Sequence, residues 1–333
     1  MTQNIVFDRI GGPDVLRLAD MPLPEPGPGE VTVDLLAVGV NRSDVAFRSG
    51  KYLVQPKLPC GLGVEGAGIV NTVGPRVNGL APGDRVSILP AFMPGGRYAT
   101  YARSGVFPAD CLIGLPDSVD NLTGSAIWVS YLTAWGALVE IGGIQPGDFV
   151  LISAASSSVG LSAIQIVNAV GAIPIATTRT GAKVSALEGA GAVHVIATEE
   201  QDVETSIRAI TGDKGLTLAF DAIAGRFAER LVPCMAEEGT IVFYGGLSDE
   251  PTLFDRRPII RKGISFTGFT VWQILRRPDR RERGQRFVEA GLANGTLNPV
   301  IDRVFRFQDV EDAHRYMESN TQFGKILLEI SAA

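Results

Sequence analysis

DFVLISAASSSVGLSAIQIVNAVGAIPIATTR, Asp148–Arg179, holds thirty uncharged residues between its two terminal charges. By length alone it could accommodate a membrane span of about 20 residues. Its internal pattern points elsewhere. DFVLIS is a short apolar run of strand type, AASSSVG a break of small residues, LSAIQIVNAVGA has helical spacing, and IPIATT resumes as a strand behind Pro174. Strand, turn, helix and strand make a βαβ unit, apolar throughout because both faces of its parallel sheet are covered.

The unit carries its own ligand signal. A strand ending at Ser153 and a helix opening from AASSSVG bring free backbone N–H groups and the positive end of a helix dipole beside a bound anion. In the Gly-x-Gly-x-x-Gly spacing, Ala155 and Ser157 take the first two glycine places and Gly160 keeps the third. Small residues still admit a close phosphate. Ser156, Ser157 and Ser158 add hydroxyl donors, and Val159 and Gly160 complete the expected cradle. About 20 residues past such a loop, dinucleotide folds place a carboxylate on the ribose for NAD, or cationic and hydroxyl groups for NADP. Here the sequence reads TTRTGAK, in which Thr178, Arg179 and Lys183 suit a 2′-phosphate. The expected cofactor is NADPH.

On either side the texture changes. The first 120 or so residues are rich in Pro and Gly, with alternating runs such as EVTVDLLAVGV, and predict a twisted β-rich domain. From about Leu122 a helical stretch, GSAIWVSYLTAWGALVEIG, precedes the βαβ unit. AVHVI, VETSIRAI, LTLAFD, GTIVFYG and ISFTGF then alternate strand with helix, as in a doubly wound parallel sheet. After Thr270 follow an arginine-rich helix, VIDRVFRFQDV, the helix EDAHRYMESN and a last strand, GKILLEI. The predicted division is residues 1–122 completed by 270–333, and residues 123–269.

Composition agrees with two domains. A chain of 333 residues exceeds one core at roughly 150 residues per domain. With 45% hydrophobic and 20% charged residues it is globular rather than disordered. A net charge of -6 gives no general attraction to nucleic acid or anionic membrane. Cys60, Cys111 and Cys234 stand far apart, as expected in a reducing cytoplasm, and MTQNIVFDRI does not read as a signal peptide.

Taken in order, GVNRSDVAFRSGKY, GVEGAGIV, PGDRV, YLTAWGAL, AASSSVG, FDAIAG, GTIVFYG and FGKILLEI resemble the medium-chain dehydrogenase/reductases, and within them the zinc-free quinone oxidoreductase branch. The resemblance spans nearly the whole chain. It implies an α/β protein with a GroES-like catalytic domain built from both chain ends, a Rossmann domain between, and a cleft where they meet. It further implies a homodimer, with GISFTGF as a sheet edge, acting on a small-molecule quinone or unsaturated carbonyl. In zinc-dependent relatives the catalytic metal is held by a Cys before x-x-Asp and a His before Glu. Asn41 and Val64 stand at those places here, so the expectation is no metal. His194 and His314 are expected to be structural.

By the same resemblance, Thr133 lies behind the nicotinamide, Tyr244, Gly245 and Gly246 near its ribose and amide, and Phe269 and Val271 at the same end. Lys325 is expected to reach the pyrophosphate. Asn41 would donate a hydrogen bond to the substrate carbonyl, with Asp44 anchoring its loop, and Tyr52 would hold or protonate the oxyanion. Two alternatives are an enoyl-thioester reductase, with LRRPDRRERGQR meeting a phosphorylated carrier, and a non-catalytic, crystallin-like NADPH-binding protein.

Overall fold

Valine-rich alternation in EVTVDLLAVGV produces the longest strand of the protein, Glu30–Val40, as expected where one face of a sheet is buried. The structure, a computed structural model, describes residues 1–330. The chain divides into two units, Met1–Val129 with Pro299–Ala333, and Ser130–Asn298.

In the first unit, Glu30–Val40 lies inside a seven-stranded sheet. The order is Ile301–Arg306, Lys325–Glu329, Glu30–Val40, Gly66–Val73, Arg85–Ile88 and Leu112–Gly114, with Ser104–Pro108 also paired to Glu30–Val40. A second sheet joins Arg17–Met21, Thr2–Phe7 and Cys60–Gly61. Two helices, Arg42–Arg48 and Val310–Glu318, pack in this unit. The strand Lys325–Glu329, from the chain's far end, pairs antiparallel with Glu30–Val40, setting Ile326 opposite Val40 and Leu327 opposite Gly39.

The second unit is one parallel sheet of six strands, ordered His194–Ala197, Ile173–Thr178, Phe149–Ile152, Leu216–Asp221, Met235–Phe243 and Ser265–Gly268. In order of appearance this is 3-2-1-4-5-6, the doubly wound arrangement with its switch point between the first and fourth strands. Leu151, Ile175, Ala219 and Ile241, all fully buried, form its core. The helix after the first strand, Ser158–Val170, ends at Gly171 with φ 85°, a left-handed cap that glycine adopts at no steric cost.

Both unit boundaries differ from those expected. The first lies within the helix Trp128–Trp135, where no change in composition marks it. The second moves to Asn298 because the arginine-rich helix, Pro278–Asn294, belongs to the parallel-sheet unit. A Cβ on its Gly284 would lie 2.9 Å from both Leu132 and Trp135. The segment GALVEIG continues Trp128–Trp135 as a π-helical turn, Gly136–Ile141; a Cβ on Gly136 would fall 2.5 Å from Ile274 and 2.7 Å from Phe269.

Candidate active site

The phosphate-loop sequence folds as a tight strand-to-helix turn. Ala154 takes the left-handed conformation, φ 47°, and Ser157 becomes the helix N-cap, its Oγ accepting from Gly160 N at 3.1 Å. The serine in the second glycine place therefore replaces backbone freedom with a cap. Gly160 admits no such change: a Cβ there would lie 2.6 Å from Ala155 Cα and O.

Beside the loop, Lys183 Nζ donates to Ser156 Oγ at 3.0 Å, which joins the TTRTGAK segment to the phosphate turn. Thr178 is half-buried and Arg179 exposed. One carboxylate not foreseen from the sequence approaches: Glu200 accepts from Gly181 N at 2.9 Å.

At the switch point Asp221, fully buried, works as a clamp. It accepts from Ser153 Oγ at 2.6 Å and from the N–H groups of Ile223 and Ala224 at 2.9 Å each. Tyr244 N donates to Asp221 O at 3.0 Å, and the Tyr244 ring stacks on Phe220 with centroids 3.8 Å apart. A Cβ on Gly245 would meet Ala222 O at 3.0 Å, whereas Gly246 is open. Thr133 and Phe269 are buried, and Val271 is half-buried at the start of a short helix. Asp221 was missed as a site residue; its signal was a lone carboxylate ending an apolar strand before the small residues AIAG.

In the first unit, Asn41 caps the helix Arg42–Arg48 in a reciprocal capping box with Asp44, whose Oδ2 accepts from Asn41 N at 2.9 Å. Asp44 thus holds the loop, and burial raises its carboxyl to about 7. Tyr101 Oη lies 3.4 Å from Asp44 Oδ2 and 3.3 Å from His314 Nε2. Burial lowers His314 to about 3, so its ring is neutral. His194 is on its expected strand. Tyr52 is half-buried with its ring edge-on to Phe47 at 6.4 Å. Burial first, and the Asp44 charge second, raise the phenol above its ordinary pKa.

Lys325 is buried at 1% exposure. Its Nζ donates to Asn41 Oδ1 at 2.7 Å and to Glu65 Oε1. The structure brings Lys325 together with Asn41 and Glu65.

Residues 27–139 match the alcohol dehydrogenase GroES-like domain family, and residues 158–288 the zinc-binding dehydrogenase family. A quinone oxidoreductase of Lama guanicoe is 32% identical over 337 residues, covering 98% of this chain and 97% of that protein. The chain belongs to the medium-chain dehydrogenase/reductase superfamily, in its quinone oxidoreductase-like branch. A 2-haloacrylate reductase of Burkholderia sp is 28% identical over 335 residues, 98% of this chain and 99% of that one. The crystal structure of Escherichia coli quinone oxidoreductase complexed with NADPH has a TM-score of 0.90 at 28% identity, covering 98% of this chain and 99% of that chain.

In this medium-chain dehydrogenase/reductase, no three His, Cys, Asp or Glu side chains gather as metal ligands among the described residues. Its arginine-rich helix is engaged internally. Arg283 Nη2 and Nε donate to Glu140 at 2.6 and 3.1 Å, and Arg280 lies 3.3 Å from the same carboxylate. No helix among the described residues is long and apolar enough to cross a membrane.

Proposed function

We propose that the chain reduces small electron-poor carbonyl acceptors, quinones or α,β-unsaturated carbonyls, with NADPH as hydride donor and without catalytic zinc. The observation that carries this reading is the occupancy of the zinc-ligand places by Asn41 and buried Val64, a hydrogen-bonding amide and an aliphatic side chain. Without a Lewis acid, alcohol oxidation loses its usual means of stabilising an alkoxide; reduction of a conjugated carbonyl can proceed with oriented donors at the developing oxyanion. The quinone oxidoreductases and the 2-haloacrylate reductase among its relatives agree with such acceptors.

The residues fit the cofactor. The Ser157-capped helix, the bare Gly160 and the backbone N–H groups of Ser156, Ser158 and Val159 would hold a pyrophosphate. Thr178, Arg179 and Lys183 would hold a 2′-phosphate, and Thr133, Tyr244, Gly245, Gly246, Phe269 and Val271 would frame the nicotinamide half. Bound NADPH would supply the hydride. Asn41 would donate to the carbonyl oxygen. Tyr52, whose raised pKa keeps it protonated at neutral pH, would donate to the resulting oxyanion. The exposed sheet edge Ser265–Gly268, with Phe266, Leu253 and Ile260 exposed nearby, supports a homodimer formed through that strand. The three buried free cysteines suit a cytoplasmic enzyme.

The test is acceptor-dependent oxidation of NADPH and NADH over a panel of quinones, enones and acyl-thioesters, in wild type and Arg179→Asp. Turnover with the first two classes, an NADPH preference, and its loss in Arg179→Asp are expected. NADPH binding without turnover on any acceptor would refute the enzymatic reading. Equal efficiency with both cofactors would refute the assignment of Arg179.

A further inference from the structure

We propose that Lys325 and Glu65 are positioning residues that lock the side-chain amide of Asn41 in one orientation, so that Asn41 can serve only as a hydrogen-bond donor. The functional consequence rests on the carbonyl chemistry proposed above; the locked amide does not.

The geometry begins with strand register. Ile326 faces Val40, so the next pair along the ladder sets Lys325 opposite Asn41. On the other side of Glu30–Val40, Val38 faces Gly66, and Gly39 N donates to Glu65 O at 3.3 Å. Lys325 and Glu65 thus flank one strand from opposite sides, with Gly39 between them. A Cβ on Gly39 would lie 2.6 Å from Glu65 Oε1 and 2.8 Å from Lys325 Cε. The ammonium meets the carboxylate by crossing over a position that has no side chain.

Between the two charges lies the amide. Asn41 Oδ1 accepts from Lys325 Nζ at 2.7 Å, and Nδ2 donates to Glu65 Oε1 at 2.9 Å. Turned over, the amide would set its NH2 against an ammonium, which offers only donors, and its oxygen against a carboxylate, which only accepts. Both Lys325 and Glu65 are 1% exposed, where neither clash is relieved by water. Val129 N holds the second carboxylate oxygen at 3.0 Å, which keeps Glu65 from rotating away. One N–H of Asn41 is left with a long contact, 3.4 Å to Gly39 O, outside the range of a good hydrogen bond. That hydrogen, the more weakly held of the two, is the one a substrate oxygen would take up. In this arrangement a buried lysine polarises the place of a zinc ligand through the amide, without touching the acceptor.

The test uses the full-length protein and two readouts. In 15N-labelled protein the Asn41 side-chain amide signal, identified by its loss in Asn41→Ala, is expected to exchange with solvent at least about tenfold faster in the charge-neutral variant Lys325→Met/Glu65→Gln, because the charges that hold the amide are gone. The same variant should bind NADPH with unchanged Kd, while kcat on an enone falls about tenfold, less than the full loss of an oxyanion donor. In an Asn41→Ala background the kcat effect should vanish. Unchanged amide exchange would overturn the proposal, as would a kcat loss that persists undiminished without Asn41. Absence of turnover in wild type would refute the reductase reading and leave amide exchange to decide this one.

Discussion

Replacing Lys325 with methionine removes a cation but leaves the buried Glu65 carboxylate with two donors, Asn41 Nδ2 at 2.9 Å and Val129 N at 3.0 Å. Those bonds were present before and cannot compensate the missing charge. Removing one member of a buried ion pair costs about 3–5 kcal/mol, because the partner remains desolvated and unneutralised. For a unit the size of Met1–Val129 with Pro299–Ala333, at about 2–4 °C per kcal/mol, the transition should fall by roughly 6–20 °C. The double variant Lys325→Met/Glu65→Gln should recover most of this. The glutamine amide introduced in that variant can accept from Val129 N while its NH2 donates to Asn41 Oδ1 once the Asn41 amide turns over, so no charge is stranded and the only donor that loses its partner is the Asn41 NH2 beside the methionine. Replacing both members of a buried pair by neutral groups is near neutral or stabilising. The assay is calorimetry at neutral pH on wild type, both single variants and the double. A Lys325→Met transition within about 2 °C of wild type, or a double variant less stable than both singles, would refute the claim that the pair is mutually neutralising.

Asp44 and His314 predict opposite pH dependences. The carboxyl, held up at about 7, contributes stability that is full below its unfolded pKa of about 3.9 and is lost as pH rises through 7. The imidazole, held down at about 3, contributes stability present above about 6.5 and lost as pH falls toward 3. Asp44→Asn should therefore make the protein more acid-sensitive between about pH 4.5 and 6.5, and His314→Gln less so, by up to about 1.4 kcal/mol per pH unit each; parallel urea-midpoint profiles for the two variants would contradict this. Gly160→Ala places a methyl 2.6 Å from Ala155 backbone atoms and should cost about 1–3 kcal/mol together with NADPH affinity, read by thermal shift and fluorescence titration; wild-type values in both would show that the turn relaxes freely. Tyr52→Phe should lower enone turnover by about 10- to 100-fold and quinone turnover less, since reduced quinones are readily protonated by water. Wild-type rates on both classes in a folded, NADPH-binding variant would remove Tyr52 from the chemistry.

What the sequence makes legible is local in the chain. The βαβ unit announced itself because period, small-residue break and Gly160 all fall within thirty residues, and the turn chemistry around Ser157 is a short-range matter of caps and backbone approach. What escaped was set by register between distant strands. The arginine-rich helix carries no local signal of the unit it belongs to; its packing, with Gly284 against Trp135 and Arg283 on Glu140, assigns it. The surroundings of Lys325 are a sharper case, since burying a lysine is costly. Here a carboxylate 260 positions away and a missing Cβ at Gly39 offset the cost. No window of sequence contains all three residues. Each alone has an ordinary explanation: a glycine in a strand, a glutamate after a turn, a lysine opening a strand. Their meaning appears only when Glu30–Val40 is flanked on both sides, at which point the amide between two opposite charges has one orientation left. Burial and pairing of Lys325 and Glu65 are what give the Asn41 amide that orientation.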